Sequence, residues 1–540
     1  FRSEEVGFRP YVAAFLVRCG ASNSKRRLIW PKSACFSDSE PLGQVFTQRR
    51  NCSGAESPLS AYKLNTIMRK LTLTLFLPFL LLCTAQAQSA TDSTLIDAYI
   101  KGLTAGKVRL VGVVGDQNYL ADSTVADASG HFTLRRKTPL PAGFYTWLLP
   151  GQKNFSMLVD KDQKFTLRAD AADFLNTLKT DYSLNTELLY ESFRLQSRQE
   201  PELNQLAEVM KNNPPNTKAF QDAKARQQKL VDDRKAALDA MYKKSPDAFF
   251  TKFKIAGQNP DPVDFRKPNG DLDTVRQLVD YRSRFWDNVD FSDNRLLYTP
   301  VIGNKLKRYI KDLTPQTPDS IISVADALIR RVQPHKEYFK YFSNWIALQY
   351  ENGKTTVMDG EAVYVYIVKT FFKPGVAYWS DQKELDALQK HVSEMEASLM
   401  GRKGLNVTAQ DVMDGQMKSI YDMTAPLVVV FMFSPDCEHC QKDAPKISTI
   451  ANSWKSRGVQ FYGIALGDEE KAAEIKEFVR KNRFPFPVVN DPTNRAIYAK
   501  YFVDITPELY VLNKDRIIVS KNLHAEQLEE VFEREMRKNK

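Results

Sequence analysis

The chain has 540 residues, 43% of them hydrophobic and 26% charged, so it reads as globular, and it is longer than one hydrophobic core usually covers. That excludes a disordered chain and a multi-span membrane protein, and it implies two to four domains. The formal net charge is +11, but seven of those charges fall within the first seventy residues, and the dispersed remainder gives no reason to expect a nucleic-acid partner.

Residues 1–67 open on Phe1, show no amphipathic period and are read as an upstream extension before a start at Met68. Residues 68–87 have the layout of a signal peptide. The basic pair Arg69-Lys70 precedes an apolar run from Leu71 to Leu82, and Ala85-x-Ala87 supplies a cleavage site. The run is short for a membrane anchor, and Leu82 stands where a lipid-attachment motif at Cys83 needs a small residue. The chain is therefore expected to be exported with cleavage after Ala87. Cys19, Cys35, Cys52 and Cys83 all precede that point, which leaves Cys437 and Cys440 as the cysteines of the mature chain. An exported protein with one such pair has no structural disulfide framework and no spare thiol for the pair to mispair with.

Residues 96–170 alternate apolar and polar positions, as in Phe155/Met157/Val159 and Phe165/Leu167, between turns such as Asp127-Ala128-Ser129-Gly130. A small antiparallel β-domain is expected there, with His131 as a hairpin residue. From 184 to 400 the period changes to that of helices, including 219–242, 273–288, 304–313, 320–332, 335–350, 362–372 and 381–399. The aromatics of this helical domain, among them Phe285, Trp286, Tyr338, Phe339, Phe342 and Trp345, are read chiefly as core, with a partner groove as the alternative.

Residues 405–540 order strand, helix, strand, helix and then two further strands and a helix, which predicts an α/β domain with a parallel sheet closed by an antiparallel hairpin. The apolar run Leu427–Phe433 is its buried central strand. Cys437-Glu438-His439-Cys440 follows after one turn and opens a helix. Two cysteines at that spacing lie on one face and can close a small disulfide ring. Helix N-terminal amides stabilise a thiolate on the outer cysteine, so Cys437 is the expected nucleophile and Cys440 the resolving thiol. Zinc would need about four ligands. No second pair or spaced histidines accompany this one, His335, His391 and His524 being isolated, so neither metal nor cofactor is expected beyond the Cys437/Cys440 disulfide.

The stretch Cys437-Glu438-His439-Cys440-Gln441-Lys442-Asp443-Ala444-Pro445 resembles the TlpA/ResA-like branch of exported thioredoxins, many of which read C-E-x-C-x-x-E-x-P. That resemblance implies a thioredoxin fold and thiol-disulfide oxidoreductase activity on protein substrates, with a membrane partner renewing the redox state. It also places proton transfer for the buried thiol on Asp443 and the helix kink on Pro445. Ile505-Thr506-Pro507 resembles the thioredoxin cis-proline loop, which implies substrate docking at Thr506 and Pro507. Relatives usually carry Trp where Asp436 stands. A carboxylate there disfavours a thiolate, as does Glu438, while His439 favours it. The β and helical domains resemble accessory regions of multidomain thioredoxins from Gram-negative bacteria, which implies a periplasmic location.

Two other readings remain at this stage. A peroxiredoxin would have Pro seven residues and Thr or Ser three residues before its cysteine; Ser434 fits and Val430 does not. A cell-envelope scaffold would hold Cys437 and Cys440 as a redox-inert clip.

Overall fold

Alternation in the first described segment produces eight strands: β1 (Thr94–Lys101), β2 (Gly106–Val114), β3 (Gln117–Ala126), β4 (His131–Arg136), β5 (Gly143–Leu148), β6 (Asn154–Val159), β7 (Lys164–Asp170) and β8 (Lys179–Asp181). They form two four-stranded sheets, ordered β4-β1-β7-β8 and β3-β2-β5-β6, whose inner faces enclose residues such as Trp147, Phe132, Met157 and Leu167. The sequence implied antiparallel pairing throughout. The sheet differs in one place, because β1 and β7 run parallel from Leu95/Lys164 to Lys101/Asp170. Alternation marks which face a strand buries but carries no strand direction, which follows from the chain path between the two sheets. The computed structural model describes residues 93–351, 354–467, 469–491, 500–503 and 506–538. The expected extension 1–67, the signal peptide 68–87 and almost all of an expected helix at 493–501 lie outside the described residues.

A one-turn helix, α1 (Phe174–Thr177), leads into the helical region: α2 (Leu184–Asn212), α3 (Lys218–Lys244), α4 (Phe249–Ala256), α5 (Thr274–Arg284), α6 (Pro300–Lys307), α7 (Pro318–Val332), α8 (Lys336–Gln349), α9 (Glu361–Phe371) and α10 (Gln382–Glu396). Beyond its first turns the α2/α3 hairpin is largely polar, and it buries little apart from Ala223 and Leu230 before Met241 and Tyr242. The remaining helices share a core rich in rings, with Trp286 packed against Phe285, Phe291, Tyr309 and Phe342. Such offset and edge-on ring pairs each contribute about 1 kcal/mol beyond the area they bury.

The β-domain docks on this core through the β2–β3 turn. Gly115 donates its amide to the Leu297 carbonyl at 2.7 Å, and Asp116 accepts from Trp345 Nε1 at 2.8 Å and Tyr341 Oη at 3.2 Å. Gly303 makes this approach possible: a Cβ there would lie 2.5 Å from the Gly115 backbone.

The C-terminal domain begins with a small hairpin, β9 (Thr408–Gln410) and β10 (Met417–Ser419). Its main elements are β11 (Leu427–Phe433), α11 (Glu438–Trp454), β12 (Val459–Leu466), α12 (Ala472–Asn482), β13 (Val488–Asp491), β14 (Glu508–Leu512), β15 (Ile518–Ser520) and α13 (Leu528–Lys538). The sheet order is β13-β12-β11-β14-β15, with β11, β12 and β13 parallel and β14 and β15 antiparallel. All seven residues of β11 are buried, as its unbroken apolar run requires of a central strand covered on both faces. That strand carries the chain straight to the first turn of α11, where the cysteines stand.

Candidate active site

Cys437 is the N-cap of α11, and its sulfur accepts the Cys440 amide at 3.3 Å. One turn on, Cys440 is fully buried in the core formed by Phe431, Phe433, Ala444 and Leu509. Both are free thiols. Partial burial is the largest single influence on Cys437 and works against ionisation. The Cys440 thiol and amide, Thr506 and the His439 amide together outweigh it and hold the Cys437 pKa below the ordinary thiol value. Burial pushes Cys440 the other way, up to about 12, and the neighbouring Cys437 sulfur adds to the rise. The pair therefore holds one ionisable, reachable sulfur and one protonated, sheltered sulfur.

The Thr506–Pro507 bond is cis, and the Thr506 carbonyl faces Cys437 Sγ at 3.1 Å. The sequence separates these residues by 69 positions; the register of β14 on β11, with Glu508 opposite Met432, brings them together. Pro445 sits within α11, and Gln441 Nε2 donates to the Pro435 carbonyl at 2.9 Å, tying the helix to the turn before Cys437.

Glu438 and His439 are both on the first turn of α11, and His439 acts on Cys437 through its backbone amide. Asp443 accepts from Lys446 Nζ at 3.2 Å, and the same lysine reaches Glu526; among the described residues no hydrogen bond or ion pair joins Asp443 to Cys440. Asp436 is exposed and pairs with Lys471, whose ammonium is the main reason its carboxyl pKa lies below the usual range. Reading the sequence missed Lys471, which stands 35 positions away after β12 and carries no local signal. Its charge offsets the carboxylate beside Cys437. Lys471→Ala is expected to leave that carboxylate unbalanced and slow Cys437 alkylation at pH 7 by about twofold, an effect that fades at high salt as for any exposed pair. Iodoacetamide labelling rates across pH at two ionic strengths measure it, and unchanged rates would show that Lys471 does not reach the thiol. Among the described residues no group of three or more His, Cys, Asp or Glu side chains could hold a metal ion.

Residues 400–521 match the family model described as AhpC/TSA family, and residues 277–400 match one described as Domain of unknown function (DUF5106). A thiol-disulfide oxidoreductase ResA from Bacillus cereus is 26% identical over 145 residues, covering 27% of this chain and 81% of the relative. Among solved structures, a thioredoxin-like protein from Bacteroides caccae aligns with a TM-score of 0.41 at 18% identity, over 51% of this chain and 98% of that one. The thioredoxin domain of a thiol-disulfide oxidoreductase from Bacteroides vulgatus aligns with a TM-score of 0.23 at 20% identity, over 25% and 96% of the two chains. The cysteine pair at the head of α11, the family match over residues 400–521 and the ResA relatives over about a quarter of the chain together support a TlpA/ResA-like thiol-disulfide oxidoreductase.

Proposed function

We propose that Cys437 and Cys440 exchange disulfides with protein substrates in the periplasm, where a membrane partner renews their redox state. The observation that carries this reading is the division of labour in the pair: Cys437 has a lowered pKa and partial exposure, while Cys440 is buried and pushed up to about 12. In the reducing direction the Cys437 thiolate attacks a substrate disulfide, forms a mixed disulfide and releases one substrate thiolate, which takes up a proton. Cys440 then loses its proton and attacks the Cys437 sulfur, releasing the second substrate thiol and leaving the Cys437–Cys440 disulfide. Two electrons and two protons pass to the substrate, and oxidation is the reverse course. Thr506 and Pro507 dock the substrate segment beside Cys437, and Asp443 remains the proposed route for the Cys440 proton, through water. The signal-peptide pattern at 68–87 supports export.

The test is the equilibrium reduction potential of the pair in glutathione and dithiothreitol buffers. A value near about −270 mV makes the protein a reductase, and one between roughly −120 and −180 mV an oxidase or isomerase. A pair that does not exchange overturns the reading in favour of a redox-inert clip. The AhpC/TSA match favours peroxide reduction as a second reading. Val430, at the position where peroxiredoxins carry proline, is buried in β11 and opposes it, so no catalytic consumption of hydrogen peroxide is expected in the same assay.

A further inference from the structure

Phe502 stands four residues before Thr506, yet its side chain does not belong to the thioredoxin-like core. Its neighbours Tyr501 and Val503 pack under the sheet with Tyr510, and Tyr501 Oη donates to the Leu405 carbonyl at 2.8 Å. Phe502 points the opposite way and is buried in the core of the helical domain. Its ring meets His391 of α10 edge-on at 5.0 Å, and His391 in turn meets Tyr364 of α9. The backbone at Phe502 has φ +49, a left-handed conformation that a bulky residue adopts only when its surroundings impose it.

The helical domain holds the other flank of the same region. Lys521, directly after β15, is almost wholly buried between Asp359 at 4.0 Å and Glu361 at 3.6 Å, and Asn522 Nδ2 donates to Glu361 Oε1 at 2.7 Å. The connecting segment pairs with β15, as Gly401 donates to the Ile518 carbonyl and Ile518 to the Arg402 carbonyl, both at 2.9 Å. Met358, in the loop before α9, packs against the core that contains Cys440.

We propose that the helical domain is a positioning element for the active site: through Phe502, held by His391, it sets the place of Thr506 opposite Cys437. β15, which pairs with β14, is held to the same helical domain through Lys521 and Asn522, the two residues that follow it. This gives a function to the region that matches a domain of unknown function. Phe502 and His391 touch no reacting atom; they act through Thr506. The proposal rests on Thr506 as a docking residue, but one of its readouts does not depend on disulfide exchange.

The experiment compares the wild-type full chain with Phe502→Ala, Phe502→Leu and His391→Ala. The first readout is the pH midpoint of Cys437 alkylation by iodoacetamide, followed by peptide mapping. Thr506 meets Cys437 through its carbonyl, which accepts from the thiol at 3.1 Å, and through its side chain, which favours the thiolate, so displacing it shifts that midpoint. The second is KM and kcat for insulin disulfides beside the rate with oxidised glutathione. Phe502→Ala and His391→Ala are expected to shift the alkylation midpoint away from the wild-type value and to lower kcat/KM for insulin by about tenfold, mostly through KM, with a smaller loss for glutathione. Phe502→Leu, which keeps an apolar anchor, restores most of the insulin activity. His391→Ala alters only the helical side and decides the matter if Phe502→Ala does not fold. Folded variants with the wild-type midpoint and wild-type insulin kinetics overturn the proposal. A wild-type chain that exchanges with neither substrate overturns the functional reading instead, while the alkylation midpoints still decide the positioning role.

Discussion

Cys437→Ser is expected to abolish disulfide exchange, by at least about a thousandfold, because a serine hydroxyl stays protonated at neutral pH and cannot form the mixed disulfide. Cys440→Ser is expected to stop one step later. Its Cys437 still attacks, but nothing inside the helix displaces the substrate, and the covalent adduct accumulates in a non-reducing gel. The asymmetry comes from position along one helix. Cys437 caps the first turn, where amides point at its sulfur, whereas Cys440 is enclosed by Phe431, Phe433 and Leu509 with its pKa pushed up to about 12. Iodoacetamide at pH 7 should therefore label Cys437 and leave Cys440 untouched in the reduced protein. Labelling of Cys440 first, or a trapped adduct in Cys437→Ser, would reverse the assignment of nucleophile and resolving thiol.

The second large effect concerns the buried charges that join the helical and thioredoxin-like domains. Burial pushes the Asp359 carboxyl up to about 7; Lys521 and the Met400 amide pull it down, while Glu361 and Asp319 raise it further. Glu508 and Tyr510 complete the set, since Tyr510 feels Glu508, Glu361 and Asp359, and Lys521 Nζ lies 5.2 Å from its ring centre. A carboxyl whose pKa is higher folded than unfolded favours folding in its protonated form. Its contribution is fully present below about pH 4 and is lost as pH rises through about 7, a difference of up to about 4 kcal/mol. Asp359→Asn keeps a neutral side chain of the same shape and is expected to remove that loss, so it stabilises the protein at pH 8 and changes little at pH 4. Urea midpoints of both proteins at pH 4, 6 and 8 measure it. Parallel pH profiles for the two would show that Asp359 ionises in the folded state without cost.

Much of the C-terminal domain was legible residue by residue. Seven consecutive apolar residues from Leu427 to Phe433 fit only a strand covered on both faces, and they occupy one with those bounds. Two cysteines three apart after a strand and a turn placed a sulfur at a helix N-terminus, where Cys437 stands. The helices expected at 320–332 and 335–350 from the 3.6-residue period stand at 318–332 and 336–349, and the aromatic positions of the second became core because rings at that spacing face inward. In each case the signal is local: backbone geometry and burial of one face are set by residues within a turn or two.

What the tertiary structure decided is which partner each face meets. Period two marked the inward side of β1 and β7 but not that they lie parallel. Asp436 read as a charge opposing the thiolate, and only the docking of the segment after β12 brings Lys471 to it. The family resemblance implied proton transfer at Asp443, while the fold gives its carboxylate to Lys446. Phe502 and Lys521 were ordinary residues of the thioredoxin-like segment until the helical domain closed over them. The sequence by itself determined most of the long elements and the place of the cysteine pair at a helix N-terminus, because those depend on neighbours along the chain. The pairing of distant charges and the packing of Phe502 against His391 depend on how finished elements meet, and that is settled by shape and burial across domains rather than by local pattern.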